Sequence, residues 1–488
     1  MTSVTSDVTD APGTDVQEAA APISDRVPVA AKAAYALGGT TDIFGHWLYN
    51  SFANPVFNVF LGLTPTQVSI SLGASRFIDA FTDPLFGWIS DNTRTRWGRR
   101  RPFILIGSVL AGVGLPCLFM ASKDWSTSTI FWFMIISACL YAPIISSYNM
   151  PYQSLGAELT PDYNERTSVL SWKAVVQKLA GMLLGVGFWF ANTPLWNDPA
   201  TGKPNIAHGM VAAAAIAGAL MIISGIANFV FVRERYYGKA STQAKIKVGE
   251  MISSTFKCKP YRVLLGTALV YAIPTGLINT LGWYLSTYYV FHGDTVAQSS
   301  YGAIGGITYA VCGIAGVPVA AGLSKRLGKP KALTCTLMAG LVAFGSSWWL
   351  YTPAHPWLSV VQTGLNGFSA TGLWVVLPSM CVDVVDYDEL ESSQRREGAY
   401  SSIFSWVLKF GMSVSMLILG PLLDVVSGFD AKLGGNQTPE AIFSIRALFT
   451  GIPVAALLAA LVFIQFYPLT RDRMHQIRAQ LEARRGTV

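Results

Sequence analysis

The sequence predicts an all-α membrane protein of about twelve spanning helices arranged as two bundles of six, and three observations predict it. The 488 residues are 51% hydrophobic against 13% charged, with 14 Trp and 26 Phe, which is too apolar for a soluble chain of this length. The apolar residues gather into runs long enough to cross a bilayer. Basic residues sit at alternate ends of those runs, and one basic connection has an echo six runs later.

Residues 1–32 are rich in Ala, Asp, Thr and Pro, offer nothing to bury and are expected to form a disordered cytoplasmic tail. Spans follow at about 33–60, 67–90, 102–122, 129–157, 168–192, 208–232, 261–291, 298–322, 332–351, 357–384, 398–425 and 441–467. Arg94, Arg96, Arg99, Arg100 and Arg101 follow span two, Arg233, Arg235, Lys239, Lys245 and Lys247 follow span six, and Lys325, Arg326, Lys329 and Lys331 follow span eight. Connections such as 192–207 and 352–356 hold almost none, so the basic ends and both termini are expected in the cytoplasm, as for a multi-pass protein of the cytoplasmic (inner) membrane. The connection 91–102 is echoed in Ser324 to Lys331, which implies a duplication: an N-terminal bundle at 33–232, a linker at 233–260, a C-terminal bundle at 261–467 and a basic tail at 468–488.

The net charge of +7 is spread over span ends rather than gathered into a face, so nucleic acid is not the expected partner; the lipid bilayer is. The six cysteines show neither a disulfide framework nor paired metal spacing, and no phosphate-cradling loop is present. Two bundles rocking about a central site suit a secondary carrier with no covalent chemistry and no cofactor, working as a monomer. A twelve-helix receptor or membrane enzyme is the rival reading.

Arg76, Asp79 and Asp83 stand at i, i+3 and i+7 inside span two, within a stripe of about 60°. Asp83 lies roughly 12 Å and Asp79 roughly 18 Å inside the cytoplasmic end, where charge is expensive and functional by default. Two carboxylates beside one cation can share a proton or hold Na+ through hard oxygen ligands. Span four repeats the spacing with Ser146, Asn149 and Gln153, and span eleven with Ser402, Ser405 and Lys409. An ammonium as deep as Lys409 needs a carboxylate partner, Asp79 or Asp83. Tyr49, seven residues after Asp42, is expected on the same helical face, while His46 reads as a packed histidine. Setting Asp42, Asp79 and Asp83 against Arg76 and Lys409 leaves one uncompensated carboxylate, enough to recruit one monovalent cation, H+ or Na+.

Asp79-Ala-Phe-Thr-Asp83-Pro-Leu-Phe-Gly87 with the connection to Pro102, Asn149-Met-Pro-Tyr152-Gln153 running on to Asp162, Glu165 and Arg166, and Asp383 to Glu389 with Arg396, Glu397 and Lys409 together resemble the glycoside-pentoside-hexuronide:cation symporters. These are a major facilitator branch typified by the melibiose carrier, and the plant sucrose carriers share the Gly98-Arg-Arg-Arg-Pro run more distantly. The resemblance implies the major facilitator fold and symport of a glycoside, disaccharide or related sugar with H+ or Na+. It implies cation coupling at Asp79 and Asp83, beside which the side-chain oxygens of Thr82 and Asn149 are candidate neutral ligands. Substrate contacts are expected from Asp42, Tyr49, Arg76, Asn149, Tyr152, Gln153, Lys173, Trp374, Ser405 and Lys409, of which the resemblance implies Asp42, Lys173, Trp374 and Lys409. The melibiose carrier has Asp and Trp where this chain has Asn149 and Gln153, and Arg near Lys173, so the sugar stays open. Lipid-carrying relatives in the same branch keep a lipid-like or drug-like solute as the alternative.

Asp91, Arg99, Arg101, Asp162, Glu165, Arg166, Asp383, Asp386, Arg396 and Glu397 all fall at cytoplasmic helix ends and are expected to form a gate, pairing across the bundles in one state and separating in the other.

Overall fold

The structure, a computed structural model, describes residues 26–160, 163–199, 201–234, 258–392 and 397–485. Among these residues the chain forms twelve long helical rods. We number them α1 (Val29–Ile43, then Phe44–Leu48, Tyr49–Ala53 and Asn54–Phe60 without a break), α2 (Pro65–Asn92), α3 (Arg101–Cys117), α4 (Thr127–Glu158), α5 (Tyr163–Ala191) and α6 (Ile206–Phe231). The second half contains α7 (Lys259–Tyr284 with Leu285–Val290), α8 (Thr295–Leu327), α9 (Lys329–Leu350) and α10 (Leu358–Ser369, Gly372–Val376 and Leu377–Ser392). It ends with α11 (Glu397–Pro421 with Leu422–Val426) and α12 (Pro439–Gln465). Nine of the rods are long and apolar enough to cross a membrane by length and composition. The others are α1, α2, which carries Arg76, Asp79 and Asp83, and α3, which is shorter at 17 residues.

Local chemistry sets the boundaries. Thr64 and Gln67 form a reciprocal capping box at the start of α2, where Pro65 takes the first helical position that needs no N–H donor. Ser126, Asp294 and Thr438 cap α4, α8 and α12 through side-chain oxygens. The rod α1 starts at Val29, four residues before the expected 33, because an Ala-rich run continues the helix outward. Five wide π-helical turns interrupt the rods: Phe44–Leu48 and Asn54–Phe60 in α1, Leu285–Val290 in α7, Gly372–Val376 in α10 and Leu422–Val426 in α11.

The packing repeats with a six-helix period. Helix α3 lies on α6 as α9 lies on α12, α2 on α4 as α8 on α10, and α1 on α5 and α6 as α7 on α11 and α12. The two halves meet through α2 against α11 and α5 against α8, a pair of seams related by the same period. One apolar core lies almost wholly within α1–α6 and the other within α7–α12; Met416 of α11 joins the first. The basic tail is not featureless. Arg471–Arg485 forms a further helix, α13, that buries Met474, Ile477 and Leu481 and lies against the end of α10.

The two halves are held together at the end opposite the termini. Tyr284 of α7 donates to Asn58 (2.6 Å) and Asn54 (3.3 Å) of α1, and the Thr66 N–H of α2 donates to Asp424 of α11 at 2.8 Å. Gly420 brings α11 so close to α2 that a Cβ there would stand 2.5 Å from Thr66 Cα and 2.7 Å from the Pro65 carbonyl oxygen.

Candidate functional site

The ionisable stripe of α2 lies midway along the seam with α11. Arg76 donates to Asp79 at 3.1 Å and to the His46 carbonyl of α1 at 3.3 Å. One turn further on, Lys409 of α11 pairs directly with Asp83, so the lysine's partner is the second of the two carboxylates considered and lies across the boundary between the bundles. Asp83 is buried while Lys409 is half exposed on the face that also carries the exposed Ser402 and Ser405. Between Asp79 and Asp83, Thr82 shares a 3.0 Å hydrogen bond with Ser146 of α4, joining two of the polar stripes.

A second polar group is centred on Asp42. Gln177 of α5 donates to its carboxylate at 2.6 Å and the Lys173 ammonium stands 4.0 Å away. His46 Nδ1 lies 3.5 Å from the same carboxylate, while His46 Nε2 faces the Asn149 amide at 3.5 Å. Gln153 donates to Asn149 at 3.0 Å, so a polar chain runs from α5 through α1 to α4.

Two expectations need correction. Lys173 stands opposite Asp42, so the three carboxylates face three cations, Arg76, Lys409 and Lys173, and no carboxylate is left uncompensated in this conformation. Asp42 and Tyr49 do not share a face, because the π turn Phe44–Leu48 lies between them and adds roughly one residue to the turn. Asp42 therefore points to α5 while Tyr49 packs edge-on against Phe57 and Phe119.

The remaining candidates divide. Tyr152 is fully buried and donates its hydroxyl to the Tyr35 carbonyl at 2.7 Å, with its ring stacked on Tyr35 and the Lys173 ammonium 4.8 Å from its centre; this hydroxyl fastens α4 to α1. Trp374 is 43% exposed on the π turn of α10. Gln177 escaped the sequence reading, and His46, read there as a packed histidine, stands between Asp42 and Asn149. His46 lies four residues after Asp42 and four before Asn50, a run of polar residues on an otherwise apolar helix that was the available signal.

At the terminal end, among the described residues, Arg100 pairs with Asp91 at 2.8 Å, Lys32 with Glu165 at 2.9 Å, and Asp383 with Lys329 at 2.7 Å and with Arg478 of α13 at 2.9 Å, each within one half. Arg478 also reaches Asp386 at 3.8 Å. Arg101 spans to the Phe229 carbonyl and lies over the Phe229 ring. The backbone N–H groups of Arg99, Arg100 and Arg101, which open α3, converge on the Glu234 carboxylate at 3.1, 2.7 and 3.3 Å. An acid at a helix N-terminus satisfies donors that have no partner within the helix. Gly98, at φ +105°, lets that carboxylate approach. Asp162 and Arg396 lie outside the described residues, as do the side chains of Arg166 and Glu397.

The comparisons with known proteins agree with this architecture. The chain is similar to an uncharacterised symporter of Bacillus subtilis (strain 168), 26% identical and covering 87% of this chain and 88% of that one. It is also similar to a glucuronide carrier protein homolog of Escherichia coli (strain K12), 24% identical over 92% and 95% of the two chains. The fold is similar to that of a bacterial homolog of the human lysosomal transporter Spinster, crystallised inward-facing and unoccupied, with a TM-score of 0.65 at 13% identity, covering 94% of this chain and 98% of that one. The family model described as MFS/sugar transport protein matches residues 32–471, and the chain belongs to that family: it is a multi-pass membrane transporter of the major facilitator fold, not an enzyme.

Proposed function

We propose that the protein is a symporter that carries a glycoside or related sugar together with H+ or Na+ by alternating access. The observation that carries this reading is the Asp83–Lys409 pair, which joins the two bundles beside the Arg76–Asp79 pair at mid-membrane depth. A cation arriving at Asp79 or Asp83 competes with Arg76 or Lys409 for the carboxylate. It thereby weakens the contact that holds α2 to α11 and frees a cationic donor for sugar hydroxyls. Asp42, Asn149, Gln153 and Lys173 supply further donors and acceptors on the N-terminal side, and Trp374, Ser405 and Lys409 are the candidates of the other half.

With basic connections inside, the terminal end is cytoplasmic in the inner membrane. The end joined by Tyr284, Asn58 and Asp424 is then the outer gate, and the conformation is inward-facing.

Purified protein in proteoliposomes, given a panel of radiolabelled mono- and disaccharides under separate Na+ and H+ gradients, tests the reading. Saturable uptake of one sugar class driven by one of the two gradients is expected; sugar-blind movement of a lysolipid would replace it. Asp79→Asn and Asp83→Asn are each expected to abolish gradient-driven accumulation while retaining sugar counterflow, and full accumulation by either removes that residue from the coupling site.

A further inference from the structure

Tyr49, Asn50, Asp79 and Tyr141 each present a buried polar atom without a hydrogen-bond partner among the described residues: both phenol oxygens, Asn50 Oδ1 and Asp79 Oδ1. All four residues line one cavity of about 20 Å³ between α1, α2 and α4. Buried polar atoms are nearly always paired, so four orphans around one space identify a ligand that pairs them. Tyr49 and Tyr141 are only 5% and 7% exposed.

The chemistry of the lining selects the ligand. The Asn50 amide donates to the His46 carbonyl, which leaves Asn50 Oδ1 as an acceptor without a partner. Asp79 Oδ2 receives Arg76, which leaves Asp79 Oδ1 as the second acceptor. The two phenols have protons to give. Two acceptors and two donors match a single water, which donates twice and accepts twice, and one water needs roughly 10–15 Å³ by the same measure. A bare Na+ would satisfy the acceptors but leave both phenol protons without an acceptor, and it would stand beside Arg76, which lines the same cavity.

We propose that this cavity is a water site, and that Tyr49, Asn50 and Tyr141 are positioning residues that hold Asp79 through that water. Arg76 fixes one oxygen of the carboxylate and the water fixes the other. The importance of this for coupling rests on the role given to Asp79 above; the water site itself does not.

Infrared spectra of the full chain in lipid films, recorded in D2O and in D2(18)O without sugar, read the water directly. The wild type is expected to show an isotope-sensitive O–D stretch of a tightly held water. Tyr141→Phe is expected to weaken or abolish it and to shift the carboxylate stretch that Asp79→Asn identifies; a merely structural role would leave that stretch in place. Tyr49→Phe is the second variant should Tyr141→Phe fail to fold, and Trp349→Phe on the exposed face of α9 serves as a control with both bands unchanged. No isotope-sensitive band in the wild type, the same band in both Tyr variants, or its loss when Na+ replaces choline at constant pH would overturn the proposal. Accumulation by Asp79→Asn with the water bands behaving as expected would instead overturn the coupling role of Asp79 alone.

Discussion

Asp83 and Lys409 are unequal partners. The carboxylate is buried and the ammonium half exposed, so deleting the lysine strands a charge whereas deleting the carboxylate leaves an ammonium that can still be solvated. Lys409→Ala is therefore expected to lower the thermal unfolding midpoint more than Asp83→Asn does, and the double variant should recover most of the loss. Equal losses in the two single variants would show that Asp83 is solvated without Lys409. Glu165 gives a pH signature outside the membrane-spanning segments. The Lys32 hydrogen bond, and then the Val27 N–H, hold its carboxyl below the ordinary glutamate value. A depressed folded value means the tie to α1 is fully present above about pH 4.3, the ordinary value, and is lost as pH falls through the lowered one. Hydrogen exchange at the start of α1 should accelerate across that acidic window in the wild type, and Glu165→Gln should be flat. At this scale the sequence was partly legible: an ammonium deep in an apolar helix demanded a carboxylate, so Lys409 pointed to α2 before any geometry was known. The surroundings of Asp42 were not legible, because Gln177 and Lys173 reach it from a helix more than a hundred residues away.

Helix boundaries agree with the apolar runs to within a few residues at most ends, since hydropathy, caps and N-terminal prolines all act locally. The π turns were invisible for the opposite reason: each replaces one ordinary turn by a wide one without changing the composition of the helix, and in α1 that change separated Asp42 from Tyr49. Helix α13 was hidden by its charge. Its apolar residues Met474, Ile477 and Leu481 recur at helical spacing, but the Arg residues around them dominate any average. The contact of α2 with α11 depends on a missing side chain. Gly420→Leu should push the two helices apart at the outer end and lengthen the distance between spin labels at Lys123→Cys and Lys432→Cys, on loops of opposite halves. Double electron–electron resonance reads that distance, and an unchanged value would mean that the seam relaxes around the added side chain.

Across the molecule, the six-helix period in packing makes the halves near-equivalent bodies hinged on two seams. Closure at the end opposite the termini gives a directional prediction. A membrane-impermeant maleimide should label Ser405→Cys readily in inverted vesicles and poorly in right-side-out ones, and a transportable sugar should reduce the faster reaction. Equal labelling from both sides would contradict a sealed outer end. Helix α13 bears on how such motion can be watched. Its charged contacts, Arg478 on Asp383 and Arg471 on the Arg326 carbonyl, and its apolar face all engage the second half. A fluorescent protein or antibody epitope joined rigidly to its end would travel with that half alone, giving single-particle imaging a fixed landmark for orientation and fluorescence a reporter of one body moving against the other.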